Sequence, residues 1–255
     1  MVNAEENSTE TQELQLCPPS EGPLFHLIRI ISLYLFVFLS QTSKLVMTDA
    51  ELAIFVSDAA TFDLLDKQTK ELRYRLHTVL LAWMPNEMNS YQFDGLQEQQ
   101  AFVVIKKLFR QQRIKAATQC RVLAVLLTSY LTRLETPLVY CEPSSMLSST
   151  LEYLLTKEKN ATNKEPMPLS MLYPLVNAVD LVGVEQRECL DALMNLLRWL
   201  SSHDQSQMIF IKFISKYQAK IFSSKVNNSD ELGACFVRTL LRYSDHIFRR
   251  DFQRH

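Results

Sequence analysis

The chain has 255 residues, 47% hydrophobic and 22% charged, with only 4 glycines, which supplies enough apolar surface for roughly one to two domains with a real core. A formal net charge of −1 and a pI near 6.5 leave no global positive field to hold a phosphate backbone, so nucleic acid is excluded as the main partner. Cys17, Cys120, Cys141, Cys189 and Cys235 stand singly, with no C-x-x-C pair and no histidine at ligand spacing; this argues against zinc and a disulfide framework, and for a reducing, cytoplasmic compartment.

Residues 1–22, "MVNAEENSTETQELQLCPPSEG", are acidic and proline-punctuated, with too few apolar groups to offset the entropy of ordering, so a disordered tail is expected. Segment 23–43 follows, apolar from Leu24 to Leu39 but interrupted by His26 and Arg29. It lacks the basic leader and small-residue cleavage site of a secretory signal. Three readings stay open: a buried first helix, apolar all round; a membrane anchor, short of about 20 apolar residues and obliged to let Arg29 snorkel; or translated intron, since "LFVFLSQ" can be encoded by a thymine-rich tract ending in cytosine-adenine-guanine. Of these, membrane contact through 24–39 is not favoured.

From residue 44 to 255 the pattern is helix after helix, with no alternation long enough for a strand, and the fold class is all-α. "TDAE" at Thr48–Glu51 forms a capping box. A helix is predicted from Asp63 to Trp83, closed by Pro85. After the loop "PNEMNSYQFDGL", further helices are predicted over 97–112, 117–133, 144–157, 169–182, 184–201, 206–223 and 229–248. "TKEKNATNKEPMP", 156–168, reads as a mobile surface loop. The terminal "RRDFQRH" is basic and expected to fray. Cys120, Cys189 and Cys235 sit among apolar residues at helical spacing, as small buried hydrophobes do.

Two basic stretches bear on partners. In "IKKLFRQQRIK", Lys106, Arg110 and Arg113 share a helical face by spacing, a stripe suited to an acidic protein surface or to anionic headgroups. In "ELRYRLHTVLL", Arg73, Arg75 and His77 alternate with leucines; Arg73 and Arg75 read as a solvated helix flank. No Gly-rich phosphate loop, ordered Ser/His/Asp set or convincing carboxylate pair occurs, so neither a cofactor, a metal nor a catalytic residue is expected.

"RVLAVLLTSYLTRLETPL" resembles the central segment of RhoGAP domains, of form L-K-x-[FY]-L-R-x-L-P-x-P-L. Leu127, Tyr130, Leu131, Leu134, Pro137 and Leu138 match it. "VEQRECLDALMNLLRWLSSH" and "DELGACFVRTLLRYSDHIF" resemble later helices of the family. "LLAWMPNEMNSYQFDGL" is similar to the divergent RhoGAP-like domain of DEP-domain-containing proteins, and the whole resemblance covers residues 65–248. The departures fall on chemistry. The family's lysine and arginine are Thr128 and Thr132 here, its proline is Glu135, and "QFDGL" keeps Phe93 and Gly95 without the finger arginine. The family's late asparagine is unmatched. An arginine finger is worth about 10³ to 10⁵ in rate, roughly 4 to 7 kcal/mol, by neutralising charge in a dry site, and a hydroxyl cannot replace it.

The resemblance therefore implies a RhoGAP-like multi-helix domain acting as a non-catalytic module for a small GTPase of the Rho class or a signalling scaffold, in the cytoplasm or at the cell cortex. Lys106, Arg110, Arg113, Thr128 and Thr132 are its candidate partner-binding residues. Two alternatives stay open: an active GTPase-activating protein with a displaced finger, Arg73 or Arg75, and a helical protein unrelated to GTPases.

Overall fold

The computed structural model describes residues 21–41, 67–83, 95–143, 145–160, 169–202, 207–224 and 229–248. Over these the chain is mostly helical: α1 (Glu21–Gln41), α2 (Lys67–Trp83), α3 (Gly95–Gln111), α4 (Ala116–Arg133), α5 (Met146–Asn160), α6 (Tyr173–Leu181), α7 (Val184–Ser202), α8 (Gln207–Ile221) and α9 (Ser229–Ile247). Residues 1–20 of the expected tail, 42–66 with the Thr48–Glu51 capping box, 84–94, 161–168 and the basic end 249–255 lie outside the described residues, whereas Glu21 and Gly22 already belong to α1.

The apolar run of α1 is the middle of the core. Leu27, Ile28, Ile30, Ile31 and Leu35 have no exposed surface, and the helix packs most extensively on α7, then on α4, with α3 on a third side. A helix enclosed on three sides needs apolar groups nearly all round, which is what the sequence supplies. Its window Leu24–Gln41 has mean hydropathy 1.7 and is also long and apolar enough to cross a membrane. Arg29 interrupts that run with purpose: its guanidinium bridges Glu98 of α3 and Glu188 of α7, while His26 lies 3.5 Å from Glu185. Burial, opposed by Arg29, holds the Glu98 carboxyl above the ordinary carboxylate range.

Two short strands escaped the sequence reading. Val139–Cys141 (β1) and Phe222–Ser224 (β2) pair in parallel, Val139 opposite Phe222; three residues are too few for alternation to register. β2 also shortens the last predicted turn of α8. The pair is extended by Leu138 N–H donating to Lys220 O at 3.0 Å. Lys220 Nζ in turn donates to Leu134 O at 2.6 Å, placing a cation at the C-terminus of α4 where the helix dipole favours it.

Other boundaries move for local reasons. The predicted helix 169–182 opens as a 3-10 turn, Leu169–Leu172, before α6; Pro174 sits in the first turn of α6, where its missing N–H costs no helical bond. The first five residues of the predicted loop 156–168 instead complete α5. α3 stops at Gln111 in a Schellman motif: Ile114 N–H bonds Phe109 O at 3.0 Å and Arg113 N–H bonds Arg110 O at 3.1 Å. Arg113 takes the left-handed position, φ 52°, which glycine usually fills. Cys120, Cys141, Cys189 and Cys235 are all buried.

Candidate partner-binding groove

The segment that follows α4, "LETPLVYCEP", turns the chain out of the helix and into β1. Its residues Thr136, Pro137, Leu138, Tyr140 and Glu142 form one side of a groove of about 720 Å³. The opposite side is α6. Its Pro174, Asn177, Ala178 and Leu181 line the groove, spaced i, i+3, i+4, i+7 on one face, while Leu175 and Val179 on the other face enter the core. Met146 and Gln186, from the first turns of α5 and α7, also line it. Both turns are capped: Ser145 Oγ accepts from Ser148 N–H at 3.1 Å, and Gln186 Oε1 accepts from Gly183 N–H at 3.1 Å.

The groove is apolar where a monomer would prefer polarity. Leu181 is 84% exposed, Met146 70% and Tyr140 43%. Val184 and Tyr173 beside it are exposed too. A cluster of large apolar side chains with satisfied polar ends suits contact with another protein. Glu142 is its charged rim residue. Burial pushes the neighbouring Cys141 thiol up, opposed by its 3.2 Å contact with Ser145 Oγ, so this cysteine is a packed thiol and not a nucleophile.

The residues singled out from sequence are dispersed. Thr128 is 1% exposed and donates its hydroxyl to Val125 O at 3.1 Å; a side chain so placed reaches no partner. Thr132, one turn on, is exposed but donates to Thr128 O at 2.8 Å. Lys106 and Arg110 project from α3 into solvent, whereas Arg113 reaches solvent from the turn beyond it, not from the helical face. The connection from α3 to α4 is four residues, so the stripe lies by the start of α4, and Thr132 stands 16 residues further along, on the order of 24 Å. The structure therefore does not unite stripe and threonines. Arg75 is exposed and paired with Glu71 one turn before it.

His77 has a different surrounding from its arginine neighbours. It is 1% exposed, and its Nδ1 lies 2.6 Å from the Tyr130 hydroxyl across the α2–α4 contact. Burial, then Arg133 and Arg73, depress its pKa to about 4. The same burial raises the Tyr130 phenol above its usual range. The imidazole is therefore neutral near pH 7.

The groove was missed in the sequence because its walls come from two stretches some 35 to 45 residues apart, about 136–147 and 174–186. One signal was present: "YPLVNAVDLV" is apolar on two faces of a short helix, and only one can face the core. Among the described residues no group of three or more His, Cys, Asp or Glu is arranged to hold a metal ion. No protein-family model, curated protein or solved structure matches the chain.

Proposed function

We propose that the chain is a RhoGAP-like interaction module without GTPase-activating chemistry, which engages a small GTPase of the Rho class through the groove between β1 and α6, in the cytoplasm or at the cell cortex. The observation that carries this reading is the position of Pro137 and Leu138. These residues, the last two matched positions of the central motif, line the groove beside the exposed Tyr140, Met146 and Leu181. Apolar anchors at the centre of such a surface hold a complex, and the α3 cations Lys106 and Arg110, with Arg113, steer an acidic partner toward it. The catalytic half of the family pattern is not supported: Thr128 and Thr132 carry no charge, and their hydroxyls bond their own helix.

Two measurements test this. Rho-, Rac- and Cdc42-type proteins loaded with a GTP analogue are titrated against the full chain and against Met146→Glu/Leu181→Glu. Binding weakened at least tenfold in the double variant, about 1.4 kcal/mol, supports the reading; no binding by any of the three overturns the GTPase as partner. In single-turnover hydrolysis with excess chain, acceleration beyond about tenfold would overturn the non-catalytic assignment. A signalling scaffold as the partner would appear as groove-dependent association without GTPase binding.

A further inference from the structure

The contact between α2 and α4 concentrates hydrogen-bond donors that the groove does not use. Arg73 lies one turn before His77 on α2, and Arg133 lies three residues after Tyr130 on α4, so each pair shares a helix face. The 2.6 Å bond between His77 Nδ1 and the Tyr130 hydroxyl pins the two faces together, with the rings 5.6 Å apart. His77 Nε2 and Arg133 Nη1 are both shielded from solvent, and neither has a hydrogen-bond partner. His77 itself is 1% exposed.

A guanidinium nitrogen and an imidazole nitrogen withdrawn from water without an acceptor are costly, and the cost is relieved by a group that brings negative oxygen to both. We propose that His77 and Arg133, in the field of Arg73, form a binding site for a small phosphate-type oxyanion: inorganic phosphate or the phosphate of a small monoester. When the Tyr130 hydroxyl donates to Nδ1, the ring proton sits on Nε2, which becomes a donor. Arg133 offers a planar fork that matches two oxygens of one phosphate. A tetrahedral dianion takes several donors at once and so can answer the Arg133 fork and His77 Nε2 together. Arg73 and Arg133 are only partly buried, so their side chains lie between His77 and solvent-accessible surface.

The site is distinct from the groove, and its test does not depend on GTPase binding. Inorganic phosphate and, separately, glycerol phosphate are titrated into the full chain at constant ionic strength, with chloride as the control anion. The readouts are the His77 ring resonances by nitrogen-edited NMR and the thermal midpoint. A saturable shift of the His77 Nε2 signal is expected with at least one phosphate, together with a raised midpoint. Arg133→Met should weaken binding at least tenfold and Arg133→Lys less, with helix content unchanged in both by circular dichroism. The arm that saturates at lower concentration identifies the source of the phosphate. An equal response to chloride, no saturation in either arm, or unchanged affinity in a folded Arg133→Met would overturn the site.

Discussion

Thr128 shows what a single position in a buried helix permits. Cys120, Val122 to Leu127, Tyr130 and Leu131 are buried around it, so the family's lysine cannot be restored there without withdrawing an ammonium group from water. Thr128→Lys should destabilise the chain by about 3 kcal/mol or more in urea unfolding. Thr128→Val should cost less than about 1 kcal/mol, because the lost bond runs only to a carbonyl of its own helix. Equal costs for the two would mean that the site opens to solvent. His77 sets a pH dependence. Its folded pKa, about 4, lies below the ordinary value of 6.5, so between those pH values the unfolded chain takes up a proton that the folded chain refuses. Its stabilising contribution is complete above pH 6.5 and is lost as pH falls toward 4, by about 3 kcal/mol in all. Urea midpoints measured from pH 7.5 to 4 should fall in the native chain and fall less in His77→Gln.

Arg29 brings the same physics to the level of helices. One guanidinium ties α1 to α3 and α7 at once, and its side chain is 12% exposed, against 18% for Glu98 and 32% for Glu188. Arg29→Ala should destabilise by about 3 kcal/mol, because it leaves two carboxylates partly buried and unanswered. Arg29→Ala with Glu98→Gln and Glu188→Gln should recover part of that loss, and thermal unfolding of the set measures it. No recovery would locate the cost in lost packing of the arginine stem. At this scale the sequence was most legible for long amphipathic helices: α4, α7 and α9 begin and end within one residue of the predicted 117–133, 184–201 and 229–248. It was least legible where two distant segments meet. The His77–Tyr130 bond joins residues 53 apart, and the β1–β2 pair joins residues more than 80 apart; neither leaves a periodic trace. The Schellman turn at Arg113 was hidden because the residue that signals it, glycine, is replaced by arginine.

Across the molecule, apolar contact and charge sit on separate surfaces. The groove is built from β1, α5, α6 and the start of α7, whereas the stripe belongs to the end of α3 and the turn after it. Exposed charges that do not touch the partner's core act mainly on encounter. Lys106→Glu/Arg110→Glu/Arg113→Glu should therefore slow association with an acidic partner at low salt while leaving dissociation and thermal stability nearly unchanged. The difference should vanish as salt rises and the Debye length falls from about 10 Å at 0.1 M to about 3 Å at 1 M. Unaltered association kinetics at low salt would leave the stripe as an ordinary solvated face. The spacing of Lys106, Arg110 and Arg113 foresaw their exposure, but their place relative to Thr132 depends on how α3 and α4 meet, which no periodicity records.

The tie between Arg29 and Glu188 spans 159 residues, and it joins the earliest described helix to one of the last. Ribosomes add about 5 to 20 residues per second, so α1 leaves the ribosome roughly 8 to 30 s before the helix that covers most of it. Through that interval its leucines and isoleucines have no native partner on α7. The nascent chain thus carries a temporary apolar helix, the kind of surface that holding chaperones bind and that associates with other unfinished chains. Completion of α7, more than the formation of α1, is the event that covers this apolar surface.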